Sequence, residues 1–145
     1  MRVLVVNAGS SSVKLRLLGD TDQLERSAVL EVADDGIDAE RVLATIAEWA
    51  QPDVVGHRVV HGGTEFTTPV TLDKGVRTSL GELTNLAPLH QAASLAAVDA
   101  VSDAMPGVPA VACFDTAFHA TIGAEAATYA LPMEWRDQWA IRRYG

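Results

Sequence analysis

Apolar positions fall into short runs along this chain, and two periods alternate between them. Arg2-Val3-Leu4-Val5-Val6 is continuous and β-branched, the pattern of a buried strand. In Val13-Lys14-Leu15-Arg16-Leu17-Leu18, three apolar residues alternate with two cations, the pattern of a half-buried strand. The short, small and polar segment between the two predicts a hairpin. Residues 23–32 alternate weakly and predict a third strand, closed by a turn at Ala33-Asp34-Asp35-Gly36. Asp38 predicts the cap of a helix running to Trp49, with Val42, Leu43, Ile46 and Trp49 at helical spacing. Residues 54–60 read as the next buried strand, closed by His61-Gly62-Gly63, and residues 69–72 as a short extended piece. A helix starting at Thr78 or Ser79 carries Leu80, Leu83 and Leu86. After a break at Ala87-Pro88-Leu89-His90, residues 91–105 are rich in alanine and leucine and predict a helix lying close on a sheet. Pro106-Gly107 stops it. Residues 108–114 form a further buried strand ending at Asp115, and the remainder, with Tyr129, Trp135 and Trp139, is mixed and partly helical. Hairpin strands followed by alternating helices and buried strands predict one α/β domain over 1–145, built on a mixed sheet.

Composition narrows the partners. The 145 residues suffice for a domain with its own core. A net charge of −8 argues against nucleic acid or an anionic membrane as partner. No apolar run approaches the roughly 20 residues of a membrane span, and the N-terminus enters a strand directly, with no secretory signal. The one cysteine, Cys113, cannot form an internal disulfide, so a reducing cytoplasm is expected. It lies in an apolar strand and reads as a small core residue rather than a nucleophile.

Five places could carry chemistry. The tip Asn7-Ala8-Gly9-Ser10-Ser11-Ser12-Val13-Lys14 offers backbone N–H groups, three hydroxyls, an amide and an ammonium, which together can bind phosphate. The same residues also make an ordinary turn. The spacing is not that of a P-loop, and a strand rather than a helix follows. Arg58 is flanked by Val54, Val55, Val59 and Val60, so its guanidinium needs an anion: either an internal carboxylate or a bound carboxylate or phosphate. His57 and His61 stand four apart on a strand, where that spacing does not favour a zinc pair. Asp115 follows a buried strand, where α/β sheets place ligands, and could serve Mg²⁺, an arginine or a helix N-cap. His90, at the start of a helix, could donate to an anion or be structural.

In combination these motifs are more specific. Asn-x-Gly-Ser-Ser-Ser-x-Lys at 7–14, Gly-His-Arg-Val-Val-His-Gly-Gly at 56–63, Ala-Pro-Leu-His at 87–90, Phe-Asp-Thr-Ala-Phe-His at 114–119 and the terminal Arg142-Arg143-Tyr144-Gly145 occur in this order in acetate kinases. The chain resembles the N-terminal half or less of such an enzyme over nearly its full length. Propionate and butyrate kinases share parts of the pattern. The resemblance implies an actin-like, ribonuclease-H-like domain, the acetate-site part of a two-domain kinase that is homodimeric at full length. It implies reversible, Mg²⁺-dependent transfer of phosphate from ATP to acetate, giving ADP and acetyl phosphate. By matching positions, Asn7 would help place Mg²⁺, and Ser10, Ser12 and Lys14 would lie by the nucleotide phosphates. Arg58 would bind the acetate carboxylate and the transferring phosphoryl group, and Val60 and Leu89 would line a methyl pocket. His90 would stabilise the transition state, and Asp115 would organise Mg²⁺ and Arg58.

Three departures qualify the likeness. The segment before Gly56 is shorter than usual, and Gln91-Ala92 replaces the Asn-Pro that usually follows Ala-Pro-Leu-His. The chain also stops where the family continues Phe-His-Gly, leaving out a further histidine, the adenosine-binding domain and a late arginine and glutamate. The isolated chain is therefore expected to be inactive. A second reading, of a different class, is a non-catalytic module that keeps the phosphate hairpin.

Overall fold

Strand alternation decides which face of each strand is buried, and the sheet follows from it. The computed structural model describes residues 1–32 and 36–144. The opening hairpin is present as β1 (Val3–Ala8) and β2 (Ser12–Leu18), antiparallel, with Asn7 opposite Lys14. β3 (Leu24–Glu31) pairs antiparallel with β2. Of the turn expected at 33–36, all but Gly36 lies outside the described residues. Helix α1 (Ala39–Ala47) starts where expected, with the Asp38 carboxylate accepting from the Arg41 N–H at 2.9 Å. β4 (Val54–Val59) returns parallel to β1. The short β5 (Val70–Thr71) leads to α2 (Lys74–Glu82), a tight turn at Leu83–Leu86, and α3 (Pro88–Ala104). β6 (Ala110–Phe114) then pairs parallel with β4 and antiparallel with β5. Two short helices, α4 (Ala124–Ala127) and α5 (Met133–Trp139), follow. The sheet is mixed and six-stranded, in the order β3-β2-β1-β4-β6-β5.

One sheet face makes the core. Leu4, Val6, Val13, Leu15, Leu17 and Val55 pack with Val42 and Ile46 of α1 and Ala97 and Val101 of α3. A second cluster joins Val59, Ala112 and Phe114 to Leu80 of α2 and Leu95 of α3. The alanines of α3 (Ala97, Ala100) are buried, which lets this helix approach the strands closely.

The structure corrects three expectations. Helix α2 begins at Lys74, four residues early, because Asp73 caps it by accepting from the Val76 N–H at 2.8 Å. The chain then tightens at Leu83–Leu86, which breaks the helical period, so Leu80 is buried while Leu86 is exposed. The helix expected from Gln91 begins at Pro88, where a proline in the first turn has no N–H to leave unpaired. Cys113 is exposed rather than in the core. Its neighbours Ala112 and Phe114 face the helices, so alternation turns Cys113 to the face that α1 and α3 leave uncovered.

Candidate functional site

Strands β1, β4 and β6 are parallel, so their carboxyl ends lie on one edge of the sheet. In register, Asn7 stands beside Arg58, and Arg58 beside Cys113, with Asp115 two residues further on the same face. This is the edge where open α/β sheets place ligands.

The polar groups there are joined. Arg58 Nε donates to Asp115 Oδ1 at 2.8 Å, and its Nη2 donates to Oδ2 at 2.6 Å, a bidentate fork. Its Nη1 donates to Asn7 Oδ1 at 3.1 Å. The hydrogen bonds to the Asp115 carboxylate, and its charge, raise the pKa of the guanidinium above the ordinary value against the opposing effect of partial burial. The pair is half open to solvent, at 51% and 39% exposure, so it contributes at most about 1 kcal/mol to stability. Asp115 opens the short helical turn Asp115–His119 but makes no capping bond; its carboxylate is used on Arg58.

The hairpin forms the facing wall. The Gly9 N–H donates to the Ser12 carbonyl at 2.8 Å and closes the turn. Residues 7–12, Lys14, Arg58, Val60, His90 and Asp115 line one cleft of about 330 Å³. Its charged side chains are two cations, Lys14 and Arg58, and one carboxylate, in a chain of net charge −8. The local balance therefore attracts an anion although the whole chain repels one. His90 sits in the first turn of α3, whose N-terminus has no side-chain cap. Of the candidate residues, Asn7, Ser10, Ser12, Lys14, Arg58, Val60, His90 and Asp115 meet here. Leu89 does not: it is 79% exposed and lies outside the cleft lining.

The other histidines of β4 and its end point inward. His57 is 2% exposed, with Nε2 unpartnered, and burial pushes its pKa down to about 4. His61 Nδ1 accepts from the Gly63 N–H at 2.8 Å, its ring meets Tyr144 edge-on, and burial lowers its pKa too. Sequence reasoning gave no role to Gln91, fully buried beside His90; its only signal was a departure from an expected Asn-Pro. A larger hollow of about 450 Å³ borders Thr64, Ile122, Arg136 and Ile141 and shares no lining residue with the Arg58 cleft.

Fold and cleft together define a ribonuclease-H-like, actin-like α/β domain with a polar cleft at the ends of three parallel strands. Residues 25–145 match the acetokinase family. The chain belongs to that family. It is 36% identical to the acetate kinase of Methanosarcina acetivorans over 178 positions, covering 100% of this chain and 44% of that enzyme. Identity to the Thermotoga maritima acetate kinase is 38% over 181 positions, again 44% of the relative. The excess of positions over 145 residues means that these relatives carry insertions within the matched span. Among solved structures, an acetate kinase from Porphyromonas gingivalis superposes with a TM-score of 0.84 at 31% identity, over 99% of this chain and 44% of that one. A propionate kinase from Francisella tularensis superposes at 0.85, also at 31% identity and with the same coverage. This chain thus spans less than half the length of the relatives it matches. No helix among the described residues is long and apolar enough to cross a membrane.

Proposed function

We propose that this chain is the acetate-site domain of a two-domain cytoplasmic kinase, homodimeric at full length, that transfers phosphate from ATP to acetate. The observation that carries the reading is the Arg58 fork, held by Asp115 and Asn7 opposite a hairpin rich in N–H and hydroxyl donors. Acetate is already a nucleophile, so the reaction needs no general base. It needs two anions held in line with their charges offset.

Each residue then has a task. With its Nε–Nη2 fork held by Asp115 and one Nη1 hydrogen by Asn7, Arg58 offers its remaining N–H groups, one on each Nη, to the carboxylate of acetate and to the phosphoryl group as it moves between oxygens. Lys14, Ser10 and Ser12 donate to the nucleotide phosphates. His90 donates to the phosphoryl oxygens where charge builds up, beside the uncapped start of α3, which already favours negative charge. Val60 borders the methyl group, and Leu89 would complete that pocket only if the first turn of α3 moved. Asp115 and Asn7 fix the direction of Arg58.

The same two residues suit Mg²⁺: a carboxylate and an amide oxygen are hard donors, and a carboxylate bound to arginine keeps further lone pairs. When bound, the ion neutralises charge on the transferring phosphate.

Propionate is the alternative acceptor, favoured by the equal likeness to a propionate kinase. Acyl phosphate trapped as hydroxamate from ATP and each acid, using the full-length gene product, tests the reading. A kcat/KM higher for acetate supports it, a higher value for propionate replaces the acceptor, and no acyl phosphate from either overturns it.

A further inference from the structure

Gln91 joins three elements around the cleft. Its side chain is 0% exposed. Nε2 donates to the His61 carbonyl at 3.1 Å and to the Leu80 carbonyl at 3.2 Å. His61 directly follows Val60, at the end of the strand that presents Arg58. Leu80 lies in the last turn of α2, where carbonyls have no partner within the helix. Gln91 itself belongs to the first turn of α3, and its own N–H donates to the Ala87 carbonyl at 2.8 Å.

The chemistry of the amide suits this place. A neutral amide nitrogen carries two hydrogens, one for each carbonyl. Methionine has similar length and no donor, and a glutamate would set an anion against two carbonyl oxygens. The amide also has a cost: Oε1 is buried without a partner. The two donated bonds are what offset it.

We propose that Gln91 is a positioning residue for the reaction. It fixes the first turn of α3, and with it His90, against the end of β4, which carries Arg58 and is followed directly by Val60. His90 and Val60 both line the same cleft, and Gln91 is adjacent to one and bonded to the residue after the other. Without the tether, the position of His90 relative to the end of β4 is no longer set. A misplacement of about 1 Å in a transfer site costs up to roughly 100-fold in rate.

The inference rests on the phosphoryl-transfer reading, so the test begins with wild-type full-length enzyme. Absence of transfer there fails that reading and this inference with it, before any substitution is made. Given transfer, Gln91→Met and His90→Ala are assayed singly and together, each checked by circular dichroism for folding at the assay temperature. We expect Gln91→Met to lower kcat at least tenfold in the wild-type background and less than twofold in the His90→Ala background, with the KM for ATP within twofold. If the methionine variant does not fold, Gln91→Asn, which keeps both donors on a shorter arm, should show the same pattern with at least a fivefold loss. A kcat within twofold of wild type, or an equal loss in both backgrounds, overturns the assignment.

Discussion

At the scale of single residues, the Arg58–Asp115 pair joins a residue from the middle of the chain to one 57 positions later. Because the pair is half exposed, its value to folding is at most about 1 kcal/mol, and on the proposed reading its bonds serve to orient Arg58. Replacing Asp115 by Asn should therefore leave the thermal midpoint almost unchanged while lowering kcat at least roughly 100-fold, the size expected for lost electrostatic positioning. An unchanged kcat, or a collapse of the fold, would show that the pair has another purpose. His57 gives a prediction of opposite kind, on stability alone. Its pKa is about 4 in the folded chain against an ordinary 6.5, because burial disfavours the cation. Between those values the unfolded chain binds more protons than the folded one, so stability rises with pH through this window and is complete above 6.5. The full effect is about 3 kcal/mol, and His61 adds to it in the same direction. Urea midpoints at pH 5 and pH 7.5 should differ clearly in wild type and much less in His57→Leu; equal differences in both would contradict the burial of His57. That Arg58 pairs with an anion was expected, but for the wrong reason: its valine neighbours suggested a buried charge, whereas strand alternation turns the side chain to the open face, where it is 51% exposed. Which anion it takes was not legible, because strand register across the sheet is invisible in one sequence. The same ignorance put Cys113 in the core: a continuous apolar run hides which of its residues faces the helices.

At the scale of elements, the hairpin, the parallel strands and α1 were legible because alternation and an N-cap aspartate are local signals. Helix α2 was not, since Asp73-Lys74-Gly75 resembles a turn and the apolar spacing is broken by the tight turn that follows. The loop after β4 holds a further consequence. A Cβ at Gly62 would run into the Phe66 carbonyl oxygen and lie 2.9 Å from the Phe114 ring. Gly63 takes a left-handed φ of +64° and would crowd Leu83 at 3.1 Å. This loop follows the strand carrying Arg58, with Val60 at its start, and Gly62 N–H donates to Thr116 Oγ1 at 3.0 Å, one residue past Asp115. Gly62→Ala should cost roughly 1–3 kcal/mol, the range for overpacking that the backbone must absorb. A chemical-denaturation loss below about 0.5 kcal/mol would show that the loop has room to shift.

At the scale of the whole molecule, the core lies on one face of the sheet and the cleft at its edge, and of the cleft lining only Ala8 belongs to the core clusters among the described residues. The chain spans 44% of its relatives' length. On the two-domain reading, these 145 residues fold alone but leave the nucleotide without its second wall, and they should form acetyl phosphate at less than a thousandth of the full-length rate. Turnover within tenfold would show that this domain holds the entire site. The central claim, that Arg58 binds the reacting carboxylate, is tested most directly by steady-state kinetics of Arg58→Ala in the full-length enzyme, varying acetate at saturating ATP. Removing the guanidinium also leaves Asp115 facing an anionic substrate, so kcat/KM for acetate should fall at least roughly 100-fold, with much of the loss in KM. Values of kcat and acetate KM both within twofold of wild type would contradict the account.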